Sequence, residues 1–114
     1  MANVLLVDDD ANGLQALETM LLLQGHRVRT AESGTAALTV VSLDAPEIIV
    51  TDVIMPGMDG IRLMRTLRAT PMLAEIPVIL MTAVNVPRDL PVQAILRKPC
   101  SAEQLVDLIG KLLP

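Results

Sequence analysis

Short apolar runs alternate with amphipathic stretches along the chain. Continuous runs such as residues 4–7 and 48–50 are typical of strands buried on both faces, whereas residues 27–31 alternate polar and apolar side chains around Val28. Together these patterns predict five strands, at residues 4–7, 27–31, 48–51, 77–81 and 94–97.

Most of the stretches between these strands have apolar residues at helical spacing. Leu14, Leu17 and Leu21 share one face of a predicted helix over residues 12–24, and Gly25 ends it. Further helices are predicted at about 35–43, at 61–68 and after Ser101, where the spacing to Gln104 indicates a capping box. Strands that alternate with helices predict an α/β fold, with a parallel sheet covered on both faces, and one domain over residues 1–114.

One connection lacks the helical pattern. Between Met81 and Ala94, Pro87 and Pro91 stand four residues apart and leave room for at most one helical turn. We therefore expect a loop or a single 3₁₀-like turn at residues 84–93.

The composition excludes several classes of protein. With 52% hydrophobic residues and a mean hydropathy of +0.53, the chain of 114 residues is not disordered. It has no aromatic residue and a net charge of −4, which argues against a nucleic-acid partner. One Cys and one His exclude an internal disulfide and an ordinary transition-metal site. Since no apolar run is long enough to cross a bilayer and no signal-like segment is present, we expect a cytoplasmic protein without membrane contact.

Polar side chains follow the carboxyl ends of four predicted strands: Asp8 and Asp9, then Asp52, Thr82 and Lys98. In an open parallel sheet these ends form the rim where ligands bind. Three carboxylates placed together would repel and raise one another's pKa. A hard divalent cation removes that repulsion, and oxygen ligands indicate Mg²⁺.

A metal beside a lysine and a hydroxyl predicts phosphoryl transfer. The metal would bind one phosphoryl oxygen, and Lys98 and the Thr82 hydroxyl would hold the other oxygens. The chain offers no Ser–His or Cys–His pair as a nucleophile, but a carboxylate can act as one and form an acyl phosphate. Asp52 is the candidate, because it ends a central strand.

The chain resembles the receiver domains of two-component response regulators over nearly its whole length. The resemblance is carried by residues 4–10, 31–38, 49–60, 77–83 and 97–99. Its most specific part is the pattern Asp-x-x-Met-Pro-x-Met-Asp-Gly that begins at Asp52. It implies a flavodoxin-like three-layer fold with a five-stranded parallel sheet in the order 2-1-3-4-5. Because the stretch from Thr82 to Lys98 is short, the family's fourth helix, between strands four and five, should be shortened or absent.

The resemblance also implies a role for each residue of the rim. Asp52 would be the phosphoacceptor, and Mg²⁺ would bind Asp8, Asp9, Asp52 and the backbone carbonyl of Ile54. Thr82 would swing toward the phosphoryl group and Lys98 would pair with it; the Lys98–Pro99 peptide is often cis in this family. A histidine kinase or histidine phosphotransfer protein would be the donor, and an unknown effector domain or output protein would respond. Such a domain is a self-phosphorylating and self-dephosphorylating switch, not a turnover enzyme.

Several residues also have a plausible structural role. The acidic run that ends at Asp10 could cap the first helix, and we expect that role for Asp10 alone. Asp59 should serve the turn before Gly60. His26 is expected to be an exposed loop residue, and Cys100, where the family often has an aromatic, a half-buried small apolar residue.

Two other functions compete with this interpretation. A phosphatase with an aspartyl nucleophile, resembling the haloacid dehalogenase family, would carry a second acid two residues after Asp52, where this chain has Ile54. A degenerate receiver would bind partners without being phosphorylated, but the five rim residues are all present.

Two departures from the receiver pattern concern switching. Ile95 stands three residues before Lys98, where many receivers have an aromatic residue that rotates. We therefore expect phosphorylation to reorder residues 83–93 directly. Ile54 and Val84 flank the phosphoryl site and cannot orient an attacking water, so self-dephosphorylation should be slow.

Overall fold

The computed structural model describes residues 2–113, which contain five strands in one parallel sheet. The strands are β1 (Asn3–Val7), β2 (Arg27–Ala31), β3 (Ile48–Asp52), β4 (Val78–Thr82) and β5 (Ala94–Arg97). They stand in the order β2-β1-β3-β4-β5. This is the flavodoxin-like order, and it confirms the predicted fold class.

Helices cover both faces of the sheet. Within the described residues they are α1 (Ala11–Leu23), α2 (Gly34–Leu43), α3 (Gly60–Arg68) and α4 (Ala102–Leu112). One apolar cluster packs α2 and α3 against alternate strand residues, and a second packs α1 and α4 against the others. Because successive strand residues point to opposite faces, β3 and β4 must be apolar along most of their length, and both are fully buried. No helix of residues 2–113 is long and apolar enough to cross a bilayer.

The local sequence signals are found where the chain pattern predicts them. Gly25 follows α1 with φ +88°, in the left-handed region that suits glycine after a helix. Ser101 and Gln104 form the expected capping box at α4. Strand β4 begins one residue later than predicted, because Pro77 has no N–H to give to the ladder.

In the described part of the chain no helix connects β4 to β5, as predicted. Residues 83–93, which we call the β4–β5 segment, run as turns and bends. Leu90 is buried and Val86 and Val92 pack beside it in the α2–α3 cluster. The segment therefore covers part of the sheet face that a helix would otherwise cover.

Arg68 holds the carboxyl end of the β4–β5 segment in place. Its guanidinium donates hydrogen bonds of 2.8–3.2 Å to the backbone carbonyls of Ala74, Ile76 and Pro91 and to the Gln93 side chain. Gln93 Oε1 also accepts from the Val78 amide at 2.7 Å. Arg68 thus ties the end of α3 to the start of β4 and to the start of β5.

Replacing Arg68 with methionine should loosen this end of the segment and leave the rest of the sheet folded. Met keeps the apolar stem but leaves the carbonyl oxygens without their donor, so we expect a loss of about 2–3 kcal/mol in unfolding free energy. Urea denaturation measures the loss, and faster amide exchange at residues 90–94 locates it. Arg65→Met, on the exposed face of the same helix, is the matched control. Equal losses in the two variants would contradict the assigned role.

Candidate functional site

The carboxyl ends of the strands bring together the polar residues that the sequence singled out. Asp8 and Asp9 follow β1, Asp52 ends β3, Thr82 ends β4 and Lys98 follows β5. Asp8, Asp52 and Thr82 are buried, with 4%, 8% and 1% of their surface exposed, and Asp9 is exposed. Two of the three carboxylates, those of Asp8 and Asp52, are therefore buried, and the third is exposed.

Lys98 pairs with both buried carboxylates. Its Nζ lies 2.8 Å from Asp52 Oδ2 and 3.6 Å from Asp8 Oδ2. Burial alone would lower the pKa of Lys98, but the hydrogen bond and charge of Asp52, together with Asp8, raise that pKa above its ordinary value. The ammonium form of Lys98 is therefore favoured beside Asp52.

The negative charge of Asp8 is only partly balanced by the surrounding groups of the chain. Burial raises the pKa of the Asp8 carboxyl, and the charges of Asp52 and Asp9 raise it further. The Asp10 amide, which donates to Asp8 Oδ1 at 3.0 Å, and the Lys98 charge oppose this rise without cancelling it. The site therefore favours an additional positive charge near Asp8.

The carboxylates form an oxygen cluster that suits a hard cation. Three carboxylate oxygens, one each from Asp8, Asp9 and Asp52, lie within 4.8 Å of one another. Mg²⁺ takes oxygen ligands, usually one or two carboxylates with water and phosphate oxygens, so this donor set fits the ion that the sequence indicates. The Ile54 amide donates to Asp52 Oδ1 at 3.4 Å, which places the Ile54 backbone at the cluster. The role of the Ile54 carbonyl stays a prediction.

The Thr82 hydroxyl is bonded to its own loop. It donates to the Val84 carbonyl at 2.9 Å and accepts from the Val84 amide at 3.0 Å. Arg97 of β5 donates to Asn85 Oδ1 and holds the same turn from the other side. The start of the β4–β5 segment is therefore held by one residue of the rim and one of β5.

Gly60 packs directly against the backbone of Asp52, a contact that the sequence did not reveal. A β-carbon at Gly60 would lie 2.1 Å from the Asp52 carbonyl oxygen. The Gly60 amide donates to the Val53 carbonyl at 2.8 Å, which brings the start of α3 against the end of β3. Asp59 caps α3, because its Oδ1 accepts from the Arg62 amide at 2.8 Å. Its role is structural, as expected.

Two of the structural expectations need correction. Asp10 occupies the N-cap position of α1, but within the described residues its side chain makes no capping hydrogen bond. His26 is half-buried rather than exposed, and its Nδ1 accepts from the Ala2 amide at 3.1 Å. Cys100 is half-buried as predicted, and the Lys98–Pro99 peptide is cis, as the resemblance implied.

Comparisons with known proteins point to one family. The model of the response regulator receiver domain matches residues 4–110. The transcriptional regulatory protein AfsQ1 of Streptomyces coelicolor is 44% identical over 75% of this chain, and the response regulator protein FleR of Pseudomonas aeruginosa is 39% identical over 96% of it. The matched regions make up 36% and 24% of those proteins, so this chain spans about a third or less of their length.

Solved structures agree with the sequence relatives. The signal receiver domain of a signal transduction histidine kinase from Syntrophus aciditrophicus matches with a TM-score of 0.92 and 32% identity, over 99% of this chain and 90% of that one. The chemotaxis response regulator CheY4 of Vibrio cholerae matches with a TM-score of 0.91 and 28% identity, over 99% of both chains. With its sheet order, its acidic rim and a family match over residues 4–110, this chain belongs to the response regulator receiver domain family.

Proposed function

We propose that this chain is a switch that accepts a phosphoryl group on Asp52 in a Mg²⁺-dependent reaction. The observation that carries the proposal is the position of Lys98 Nζ, 2.8 Å from Asp52 Oδ2 and beside the oxygen cluster of Asp8 and Asp9. The donor is a histidine kinase or a histidine phosphotransfer protein, and an effector domain or output protein reads the result. Membership of the receiver family and relatives named as response regulators support this assignment.

The rim residues have different tasks in the transfer, and Asp52 has two of them. The Asp52 carboxylate attacks the phosphorus, so that an O–P bond forms while the P–N bond to the donor imidazole breaks. Asp8, Asp9 and Asp52 would hold Mg²⁺, which supplies charge neutralisation for the phosphoryl oxygens. Lys98 keeps a second positive charge beside Asp52 throughout the transfer.

The Thr82 hydroxyl links the phosphoryl group to the β4–β5 segment. To donate to a phosphoryl oxygen, Thr82 must release the Val84 carbonyl, and the turn at the start of the segment then loses its closure. Arg68 holds the other end through Pro91 and Gln93. Phosphorylation is therefore expected to reorder residues 83–93, with the largest change at 83–89.

Amide exchange tests this switching. With Mg²⁺ and beryllofluoride, which mimics a phosphoryl group, exchange at residues 83–89 should change, while β1 and β3 keep their protection. Asp52→Asn is the control, since it removes the attachment site and should show no change. Unchanged protection across 83–93 in the wild-type chain would reject the proposed switch.

Acetyl phosphate with Mg²⁺ tests phosphoryl acceptance itself. The wild-type chain should take the label, whereas Asp52→Asn, or removal of the metal with a chelator, should abolish labelling. A wild-type chain that takes no label would favour the degenerate receiver, which binds partners without phosphorylation. Sustained hydrolysis of a phosphomonoester would favour the phosphatase, although Ile54 leaves that enzyme without its general acid.

Asp8→Asn should stabilise the metal-free chain and weaken its response to Mg²⁺. Folding raises the pKa of the Asp8 carboxyl, so its ionised form lowers the free energy of unfolding at a pH above that pKa. This loss of stability disappears as the pH falls through the raised pKa. Asparagine imitates the protonated form and keeps an oxygen for the Asp10 amide.

Thermal unfolding with chelator and with Mg²⁺ measures both effects. The melting temperature of the wild type should rise on adding Mg²⁺, and that of Asp8→Asn should rise less. Asp59→Asn is a matched control, because asparagine can still cap α3. An Asp8→Asn chain that is less stable without metal, or that gains as much from Mg²⁺ as the wild type, would contradict the prediction.

A further inference from the structure

Arg97 lies opposite Thr82 in the ladder between β4 and β5. The Lys98 amide donates to the Thr82 carbonyl at 2.8 Å, so the backbone is fixed at this point of the rim. The two neighbouring cations have different contacts. Lys98 contacts Asp52, whereas Arg97 contacts the start of the β4–β5 segment. Arg97 is therefore placed to act on Thr82 without touching the phosphorylation site.

The Arg97 guanidinium holds the turn that binds the Thr82 hydroxyl. It donates to Asn85 Oδ1, and among the described residues this is the one side-chain hydrogen bond from β5 to residues 83–93. Asn85 directly follows Val84, whose amide and carbonyl are bonded to the Thr82 hydroxyl. While Arg97 holds Asn85, Val84 therefore stays beside Thr82.

The bond between Arg97 and Asn85 can open at low cost. Both residues are exposed, so water replaces the lost partner when they separate. An exposed hydrogen bond of this kind shifts a conformational equilibrium by roughly two- to fivefold. Ile95, two residues earlier on the same face of β5, has no polar side-chain atom that could take its place.

We propose that Arg97 is a positioning residue that opposes phosphorylation, because by holding Asn85 it keeps the Thr82 hydroxyl on Val84. The inference rests on the proposed function and names a regulation of the same site. Only a chain in which Thr82 has left Val84 offers its hydroxyl to a phosphoryl oxygen. The apparent affinity for a phosphoryl group falls with the fraction of chains in that form. Removing the bond between Arg97 and Asn85 raises this fraction, so phosphoryl binding becomes tighter.

Calorimetric titration with beryllofluoride and Mg²⁺ tests the sign of this effect. Asn85→Ala removes the acceptor without changing the charge, and it should lower the dissociation constant by roughly two- to fivefold. In a chain that already carries Arg97→Met the bond is absent, so adding Asn85→Ala should have no further effect. Both residues are exposed, so neither change should prevent folding. A merely structural bond would instead leave binding unchanged or weaker when it is removed.

Arg88→Gln is the control, because it removes an exposed arginine of the same segment that, in the described part of the chain, is not bonded to the turn at residues 82–85. Its dissociation constant should equal that of the wild type. An unchanged or weaker affinity in Asn85→Ala, or an equal gain with and without Arg97, would overturn the role of Arg97 and leave the phosphoryl acceptance of Asp52 intact. A wild-type chain that neither binds beryllofluoride nor takes label from acetyl phosphate would refute the proposed function, and the role of Arg97 with it.

Discussion

Gly60→Ala should lower the free energy of unfolding by about 3 kcal/mol and remove most of the phosphoryl acceptance by Asp52. The new β-carbon would lie 2.1 Å from the Asp52 carbonyl oxygen and 3.0 Å from Val53 Cα. Both are backbone atoms, so no side-chain rotation can relieve the clash. The start of α3 or the end of β3 must move, and the Asp52 carboxylate moves with it. Urea denaturation and labelling with acetyl phosphate measure the two effects.

Gly110→Ala is the control and should have the opposite sign. Gly110 is an exposed residue within α4, and among the described residues no atom would lie within 4 Å of an added β-carbon. Alanine there should stabilise the chain by about 0.5–1 kcal/mol, because glycine is a poor helix former. A Gly60→Ala chain that keeps both its stability and its labelling would disprove the close support of Asp52 by α3.

Ile54→Asn should accelerate the loss of the phosphoryl group from Asp52 by about tenfold. The Ile54 side chain is 60% exposed at the rim, and its amide lies 3.4 Å from Asp52 Oδ1. Val84, whose backbone is hydrogen-bonded to the Thr82 hydroxyl, is 43% exposed and also apolar. An asparagine amide at residue 54 can orient a water toward the phosphorus, which isoleucine cannot.

Phosphate release from the labelled chain measures the rate. The wild type should release phosphate slowly, and Ile54→Val, which stays apolar, should behave like it. If Ile54→Asn released phosphate no faster than Ile54→Val, the side chain at residue 54 would not limit the attack of water. The predicted long lifetime of the phosphorylated form would then need another cause.

Much of the fold could be predicted from periodicity because each element buries its own apolar pattern. The strand runs and the helical spacing of Leu14, Leu17 and Leu21 are local signals. The proline spacing in residues 84–93 likewise predicts that β4 and β5 are connected without a helix. The rim could be predicted too, since parallel strands end on one edge and Asp8, Asp52 and Lys98 each follow a strand.

The contacts between the rim residues were decided by the tertiary structure alone. Lys98 reaches Asp52 from 46 positions away in the chain, and no sequence spacing encodes the 2.8 Å between them.

The sequence by itself determined the class of fold, the residues at the rim and the absence of one helix, because these follow from local burial and from the direction of the strands. Tertiary structure alone decided that Arg68 holds the end of the β4–β5 segment through hydrogen bonds. It also decided that the Thr82 hydroxyl is hydrogen-bonded to Val84 and that Gly60 packs against the Asp52 backbone. The physical reason is that such contacts join polar groups from distant parts of the chain. Packing brings them together only after the core has formed.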